Sequence, residues 1–276
     1  MSKSTKEVLF IPPMWGGSWV FDKFRILFEE AGMKVRCFEY PYHNLKDMHD
    51  EPDPELGKLG LLDYAKMIGD YINKNYESPP IIIGFSMGGL LAQIVVSRGY
   101  AKAEKIISIT PSPCAGVWAL HPATMKAFWS IMKRWGFWKK PMRQTYEEAR
   151  DSMLNLLSVD ERTDIFSQLQ YESGRAAFQI GYYFLDPLKS SWVDESKIDC
   201  DLLIIGSGKD QMTPISVTRR IAKKFKNVPG FQYIEFLENA HWPIGEPGYE
   251  EVARACIEFI KKQKGAVRWQ KNYSFF

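Results

Sequence analysis

Cysteine is scarce in this 276-residue sequence: Cys37, Cys114, Cys200 and Cys256 are scattered, with no C-x-x-C pair and no metal-ligand spacing. That excludes a disulfide framework, gives no basis for a zinc site, and points to free thiols in a reducing compartment. Long apolar runs are missing as well. No stretch approaches the roughly 20 residues of a membrane span, and the short polar start, Met1 to Lys6, lacks the apolar region of a signal peptide. Charge of one sign is also missing: 36 Lys and Arg stand interspersed with 33 Asp and Glu, a net of +3, so nucleic acid finds no electrostatic footprint. These absences lead us to expect a soluble, cytoplasmic protein. What is present is an ordinary hydrophobic share, 45%, which excludes disorder, and an unusual nine tryptophans.

Strand-like and helix-like segments alternate along the chain. Val8-Leu9-Phe10-Ile11 reads as a first strand and Lys34 to Phe38 as a second, with a helix over Phe21 to Glu30 between them. A polar, Pro-rich loop holds Glu51-Pro52-Asp53-Pro54, and then Leu62, Ala65, Ile68, Gly69 and Ile72 recur on one helix face. Ile81-Ile82-Ile83, too short for a helix, leads through Gly84-Phe85-Ser86-Met87-Gly88-Gly89 into the apolar pattern Leu90 to Val96. Further strands are read at Ile106 to Ile109, Leu202 to Ile205 and Tyr233 to Phe236, with helices opening at Thr213-Pro214 and Tyr249. Continuous apolar strands separated by helices predict an α/β protein, a mostly parallel sheet covered on both faces.

The alternation breaks once, between about Ser112 and Ser196, where strand signals disappear. Met125, Phe128, Trp129, Met132 and Trp135 recur there at helical spacing, and helices are plausible over Tyr146 to Leu157, Asp160 to Leu169 and Arg175 to Phe184. The expected organisation is a core of residues 1–111 and 197–276 with a helical cap, residues 112–196, inserted after one strand.

Gly84-Phe85-Ser86-Met87-Gly88 matches G-x-S-x-G between a predicted strand and a predicted helix, the context that gives the motif meaning. So tight a turn requires small neighbours and thrusts the Ser86 hydroxyl out at the sheet's carboxyl end. A serine hydroxyl is a weak nucleophile until a base takes its proton, so a histidine held by a carboxylate is required. His43 and His49 lie in the polar loop and His121 opens the cap; a solvated or structural role suits all three. His241, in Asn239-Ala240-His241-Trp242-Pro243 after the last strand, is the candidate base. Triads with this motif run Ser, acid, His in chain order, which selects Asp210 after the Leu202 to Ile205 strand, ahead of Asp194, Asp199 and Glu238.

On these residues the chain resembles the α/β-hydrolase family over about Glu7 to Pro111 and Cys200 to Lys262. The resemblance implies the family's fold, here about six parallel strands without the optional first hairpin. It maps the nucleophile elbow onto Gly84 to Gly88, the acid onto Asp210 and the base onto His241; Glu246-Pro247-Gly248 is also similar to the family. The oxyanion loop departs from it. Related members often carry His-Gly after the first parallel strand, where this chain has Ile11-Pro12-Pro13-Met14-Trp15-Gly16-Gly17. Proline has no N–H to donate, so the expected donors to an oxyanion are the backbone N–H groups of Met14 and Met87.

A serine at the elbow argues against the dehalogenase and epoxide-hydrolase activities that the family performs with Asp there. Acyl transfer from an ester or thioester to water becomes the expected reaction, needing no metal or cofactor. Lyases, acyltransferases, cyclases and ligand-binding proteins on the same fold remain alternatives. The substrate is expected to be a small apolar molecule with an acyl or aromatic group, held by Trp15, Trp118, Phe128, Trp129, Met132 and Trp242. Lys126, Lys133, Arg134, Lys139, Lys140 and Arg143 make the same stretch basic, which suits an anionic membrane surface or an acidic head group, though a solvated surface is the simpler reading. On this placement the tryptophan excess belongs to the walls of the site.

Overall fold

The computed structural model describes residues 5–43, 50–262 and 270–273. Glu7–Ile11 forms β1, in which Val8 to Ile11 are wholly buried, as a strand covered on both faces requires. Then follow α1 (Asp22–Glu30), β2 (Lys34–Cys37), α2 (Leu61–Asn75), β3 (Ile81–Phe85), α3 (Met87–Ser97) and β4 (Lys105–Ile109). The amphipathic α2 buries Ala65, Ile68, Gly69 and Ile72 of the expected stripe, with Leu61 rather than the half-buried Leu62 at its start, whereas α3 is buried on every side beneath its neighbours.

Between β4 and the next core strand lie α4 (Pro122–Ala127), α5 (Trp129–Met132), β5 (Pro141–Met142), α6 (Tyr146–Ser152), α7 (Val159–Gln168), β6 (Glu172–Ser173) and α8 (Gly174–Gly181). The chain then returns to the sheet with β7 (Asp201–Ser207), α9 (Ile215–Phe225), β8 (Gln232–Phe236), α10 (Tyr249–Lys261) and β9 (Gln270–Tyr273).

The core strands form one parallel sheet in the order β2-β1-β3-β4-β7-β8-β9. The six expected strands are all there, and β9, which the sequence did not announce, adds an edge beside β8. The chain leaves β1 for β2 on one side and reaches β3 on the other, so the loops after β1 and β3 face each other where the winding reverses. Ligands of open α/β sheets bind at that crevice, outside the carboxyl ends of the strands.

Two local expectations change. The stripe from Met125 to Trp135 is not one helix, because Phe128 leaves helical geometry at φ −111°, ψ 12° between α4 and α5. The Glu148 side chain accepts from both the N–H and the hydroxyl of Ser130, offering that N–H an acceptor outside its own helix. Likewise Thr213, which ahead of Pro214 reads from sequence as the cap of this helix, does not cap α9: Pro214 holds the cap position, and the Thr213 N–H goes to Asp210. His49 and Trp269 lie outside the described residues.

Candidate active site

Ser86 sits between β3 and α3 at φ 54°, ψ −115°, a left-handed conformation that a serine adopts only under constraint. Its neighbours supply that constraint. A Cβ on Gly84 would stand 2.1 Å from the Gly88 carbonyl oxygen, and one on Gly88 would stand 2.1 Å from that of Ile11. Only glycine allows the turn to lie this close to β1. The Ser86 N–H donates to Ile109 of β4, and its carbonyl accepts from Gly89, Leu90 and Ser112, which fixes the backbone from both sides.

His241 follows β8 and brings Nε2 to 3.0 Å from Ser86 Oγ. Its Nδ1 lies 2.8 Å from Asp210 Oδ2, after β7. A carboxylate only accepts, so the proton belongs on Nδ1 and Nε2 is left to receive one from serine. Asp210 Oδ1 accepts the N–H groups of Met212 and Thr213 at 2.7 and 2.8 Å, locking the carboxylate toward the imidazole. All three side chains are buried. Of the other candidate acids, Glu238 pairs with Lys209, Asp194 caps a short turn at Ser196, and Asp199 is exposed. The remaining described histidines take structural places. His43 Nε2 lies 3.2 Å from Glu172, and His121 accepts from Ala123 at the start of α4.

Glu246 is a site residue for which the sequence offered only a family resemblance. It is wholly buried, and its carboxylate accepts the N–H of Ala240 and of Trp242, the two neighbours of His241. Burial pushes its pKa up, and these backbone donors pull in the opposite direction.

The loop after β1 turns at Pro13, closed by Gly16 N–H donating to the Pro13 carbonyl at 3.2 Å. Trp15 stands in the turn at φ 66° and is buried. Two bonds to the inserted segment hold it there: its indole N–H donates to the Met142 carbonyl at 3.2 Å, and its own carbonyl accepts from Gln170 at 2.8 Å. From the other side the Tyr40 hydroxyl donates to the Pro12 carbonyl at 2.9 Å. The diproline loop is therefore rigid. Among the described residues, no acceptor engages the backbone N–H of Met14 or of Met87.

A cavity with a predominantly apolar wall opens over Ser86 and Met14. Phe128 and Met132, expected to hold substrate, line it; Trp15, Trp118, Trp129 and Trp242 do not. Trp15 lies one layer behind, 5.4 Å from the Phe128 ring, and Trp242 packs under Phe85 and against Trp19. Trp118 and Trp129 lie at the surface, 49% and 59% exposed. The described tryptophans are thus absent from the cavity wall, and the reading of their excess is corrected. Their places are taken by Ile131, Phe137, Ile180, Tyr182, Met212 and Val217. The i, i+3, i+4 spacing of Ala177, Ile180 and Gly181 on α8 was the available signal for part of this wall.

Among the described residues no group of three or more His, Cys, Asp or Glu is placed to hold a metal ion, and no helix is long and apolar enough to cross a membrane.

The chain matches the alpha/beta hydrolase family over residues 8–255 and belongs to it. Solved structures with the same fold include a pyrethroid hydrolase from Sphingobium faniae JZ-2, at 17% identity and a TM-score of 0.68, covering 93% of this chain and 97% of that one. Polyneuridine aldehyde esterase aligns at 14% identity and a TM-score of 0.67, over 94% of this chain and 100% of its own. The monoacylglycerol lipase of Paleococcus ferrophilus aligns at 20% identity and 0.66, over 93% and 95%. At such identities the likeness is one of fold. No curated protein sequence matches the chain.

Proposed function

We propose that this protein is a serine hydrolase that cleaves a carboxylic ester or thioester of an apolar acyl or aromatic substrate through an acyl-enzyme. The observation that carries the reading is the unbroken line Ser86 Oγ, His241, Asp210 beneath an apolar cavity. His241 Nε2 takes the Ser86 proton as Oγ attacks the carbonyl carbon, and Asp210 stabilises the imidazolium. The carbonyl oxygen becomes an oxyanion, toward which the N–H groups of Met14 and Met87 are the available donors; such a donor contributes about 3–4 kcal/mol to transition-state stabilisation. Collapse breaks the bond to the leaving oxygen or sulfur, which receives the proton from His241. Water then repeats the sequence at the acyl-enzyme, returning Ser86 and releasing the acid.

In this reading residues 112–196 act as a cap over a core of residues 1–111 and 197–276, and the cap's inner wall selects the acyl group. The substrate is a small molecule, and no cofactor enters the reaction. The test is labelling by a fluorophosphonate followed by peptide mapping, with p-nitrophenyl esters of graded length as substrates. Label on Ser86, lost in Ser86→Ala and His241→Ala, together with turnover of the esters, is the expected result. Failure of folded protein to label overturns the nucleophile. Labelling without hydrolysis of any ester redirects the reading to transfer, lyase or cyclase chemistry.

A further inference from the structure

A line of aromatic contacts runs through residues 112–196, with Trp135, Phe184 and Trp118 exposed and Trp138, Phe178 and Tyr182 between them partly buried. Trp135, 91% exposed, meets Trp138 edge-on at 5.1 Å between ring centres. Trp138 packs on Phe178 at 5.6 Å, Phe178 stacks on Tyr182 at 5.2 Å, Tyr182 neighbours Phe184 at 6.3 Å, and Phe184 stacks on Trp118 at 6.0 Å. Phe184, Leu185 and Leu188 are more than half exposed. Trp138, Phe178, Leu185 and Leu188 share a surface hollow with Lys139 and Arg175. Isolated exposed apolar side chains are ordinary, but a connected set of this size marks an interaction surface.

Its charge is one-sided. From Lys133 to Arg143 the chain carries five cations and no carboxylate. Among the described residues, no carboxylate lies within ion-pair distance of Lys133, Arg134, Lys139, Lys140 or Arg175. Asp186, the acid of the hollow, is buried and accepts the N–H groups of Leu188 and Ser190. A second copy meeting this face about a two-fold axis would set these cations against their own kind. An anionic bilayer meets both requirements, with acidic head groups for the cations and an apolar boundary for the rings.

We propose that this face docks on anionic lipid bilayers, Trp135 and Phe184 entering the interface while Lys139, Lys140 and Arg175 stay at head-group level. Tyr182 and Phe137 belong to the same aromatic packing and also line the cavity over Ser86, so the docked face adjoins the site. That an ester dissolved in the bilayer is delivered there rests on the hydrolase reading; the docking does not.

The test is cosedimentation of the full chain with vesicles of phosphatidylcholine alone and of phosphatidylcholine mixed with phosphatidylserine. Binding is expected to the mixed vesicles, weakening as salt rises. Trp135→Ala should reduce it about tenfold, and Lys139→Gln and Lys140→Gln about fivefold each, all with unchanged circular dichroism. Binding to neither vesicle, or equal binding by parent and all three variants, overturns the proposal. So does a dimer in sedimentation velocity that Trp135→Ala dissolves, since a second copy then covers the face. Ser86→Ala should bind as the parent does; if Ser86 resists the fluorophosphonate while vesicle binding persists, the hydrolase reading falls and the docking stands.

Discussion

Glu246 holds the chain on both sides of His241: one carboxylate oxygen accepts the Ala240 N–H at 2.7 Å and the other accepts the Trp242 N–H at 3.0 Å. These bonds fix the main chain from which the imidazole projects, so Glu246 is placed to act as a positioning residue without reaching the cavity. An amide has one oxygen to accept with, and its NH₂ confronts the second N–H. Glu246→Gln is therefore expected to lower kcat about tenfold at unchanged KM, a loss of ~1.4 kcal/mol that corresponds to one misdirected hydrogen bond. Circular dichroism should stay the same. An unchanged kcat would remove the positioning role.

Trp15 ties the loop after β1 to the inserted segment through its indole N–H on Met142 and its carbonyl on Gln170. Met14 lies between this anchor and the rigid Pro12-Pro13 pair. Trp15→Phe keeps most of the packing and deletes the donor, leaving the Met142 carbonyl in want of a partner. We expect kcat on short p-nitrophenyl esters to fall about fivefold, on the order of 1 kcal/mol, with Tm lowered by a few degrees. Trp15→Ala should cost about 3–5 kcal/mol in a denaturant titration because it leaves a void behind Phe128. Equal kcat in parent and Trp15→Phe would show that Met14 needs no such anchor.

Ser86, Asp210 and His241 could be singled out from sequence because strand ends are local signals: each follows a short apolar run, and the parallel sheet aligns those ends. The parallel α/β core was legible for the same reason. Glu246 shows the limit, since a buried carboxylate bonding to backbone N–H groups leaves no trace in periodicity or spacing. The tryptophans failed differently. Spacing set Trp129 on a stripe with Met125, Phe128 and Met132, but the break at Phe128 turns Trp129 toward solvent, and a contact with Glu148 on a different helix accompanies that break. Size and apolarity predict burial on average, and they say nothing about which surface is left for a partner.

His43 and Glu172 join the loop after β2 to the inserted segment, their side chains almost wholly buried and Nε2 3.2 Å from Oε2. Burial alone would lower the His43 pKa, but the Glu172 charge and hydrogen bond, with help from the Pro41 carbonyl and Glu39, raise it on balance. Tyr64 from α2 and the Ser173 N–H hold the other Glu172 oxygen, and the Tyr40 ring packs on His43. A histidine raised in the folded state stabilises most below its unfolded value of about 6.5, and that contribution is lost as pH rises through the folded value. His43→Gln should therefore lower Tm most near pH 6, by an amount corresponding to about 1–3 kcal/mol, and markedly less near pH 9. Glu172→Gln, which keeps an acceptor for Tyr64, should flatten the same pH dependence. A constant gap between parent and His43→Gln from pH 6 to 9 would mean that His43 stays neutral in the fold.

Ile180 of α8, 9% exposed, lines the cavity together with Met212 and Val217. If the acyl group lies there, adding volume at Ile180 shortens the chain that fits without touching Ser86, His241 or Asp210. Ile180→Trp is expected to lower the ratio of kcat/KM for long over short p-nitrophenyl esters at least tenfold, the short ester reporting an intact triad. Overpacking should cost about 1–3 kcal/mol of stability, so the ratio is measured well below the variant's Tm. Ile180→Ala is expected to move the ratio the other way, at about 2–5 kcal/mol of stability for the void it opens. Because the two variants predict opposite signs, general damage to the fold cannot mimic the pair. A ratio that moves with neither places the acyl group on a wall that Ile180 does not form.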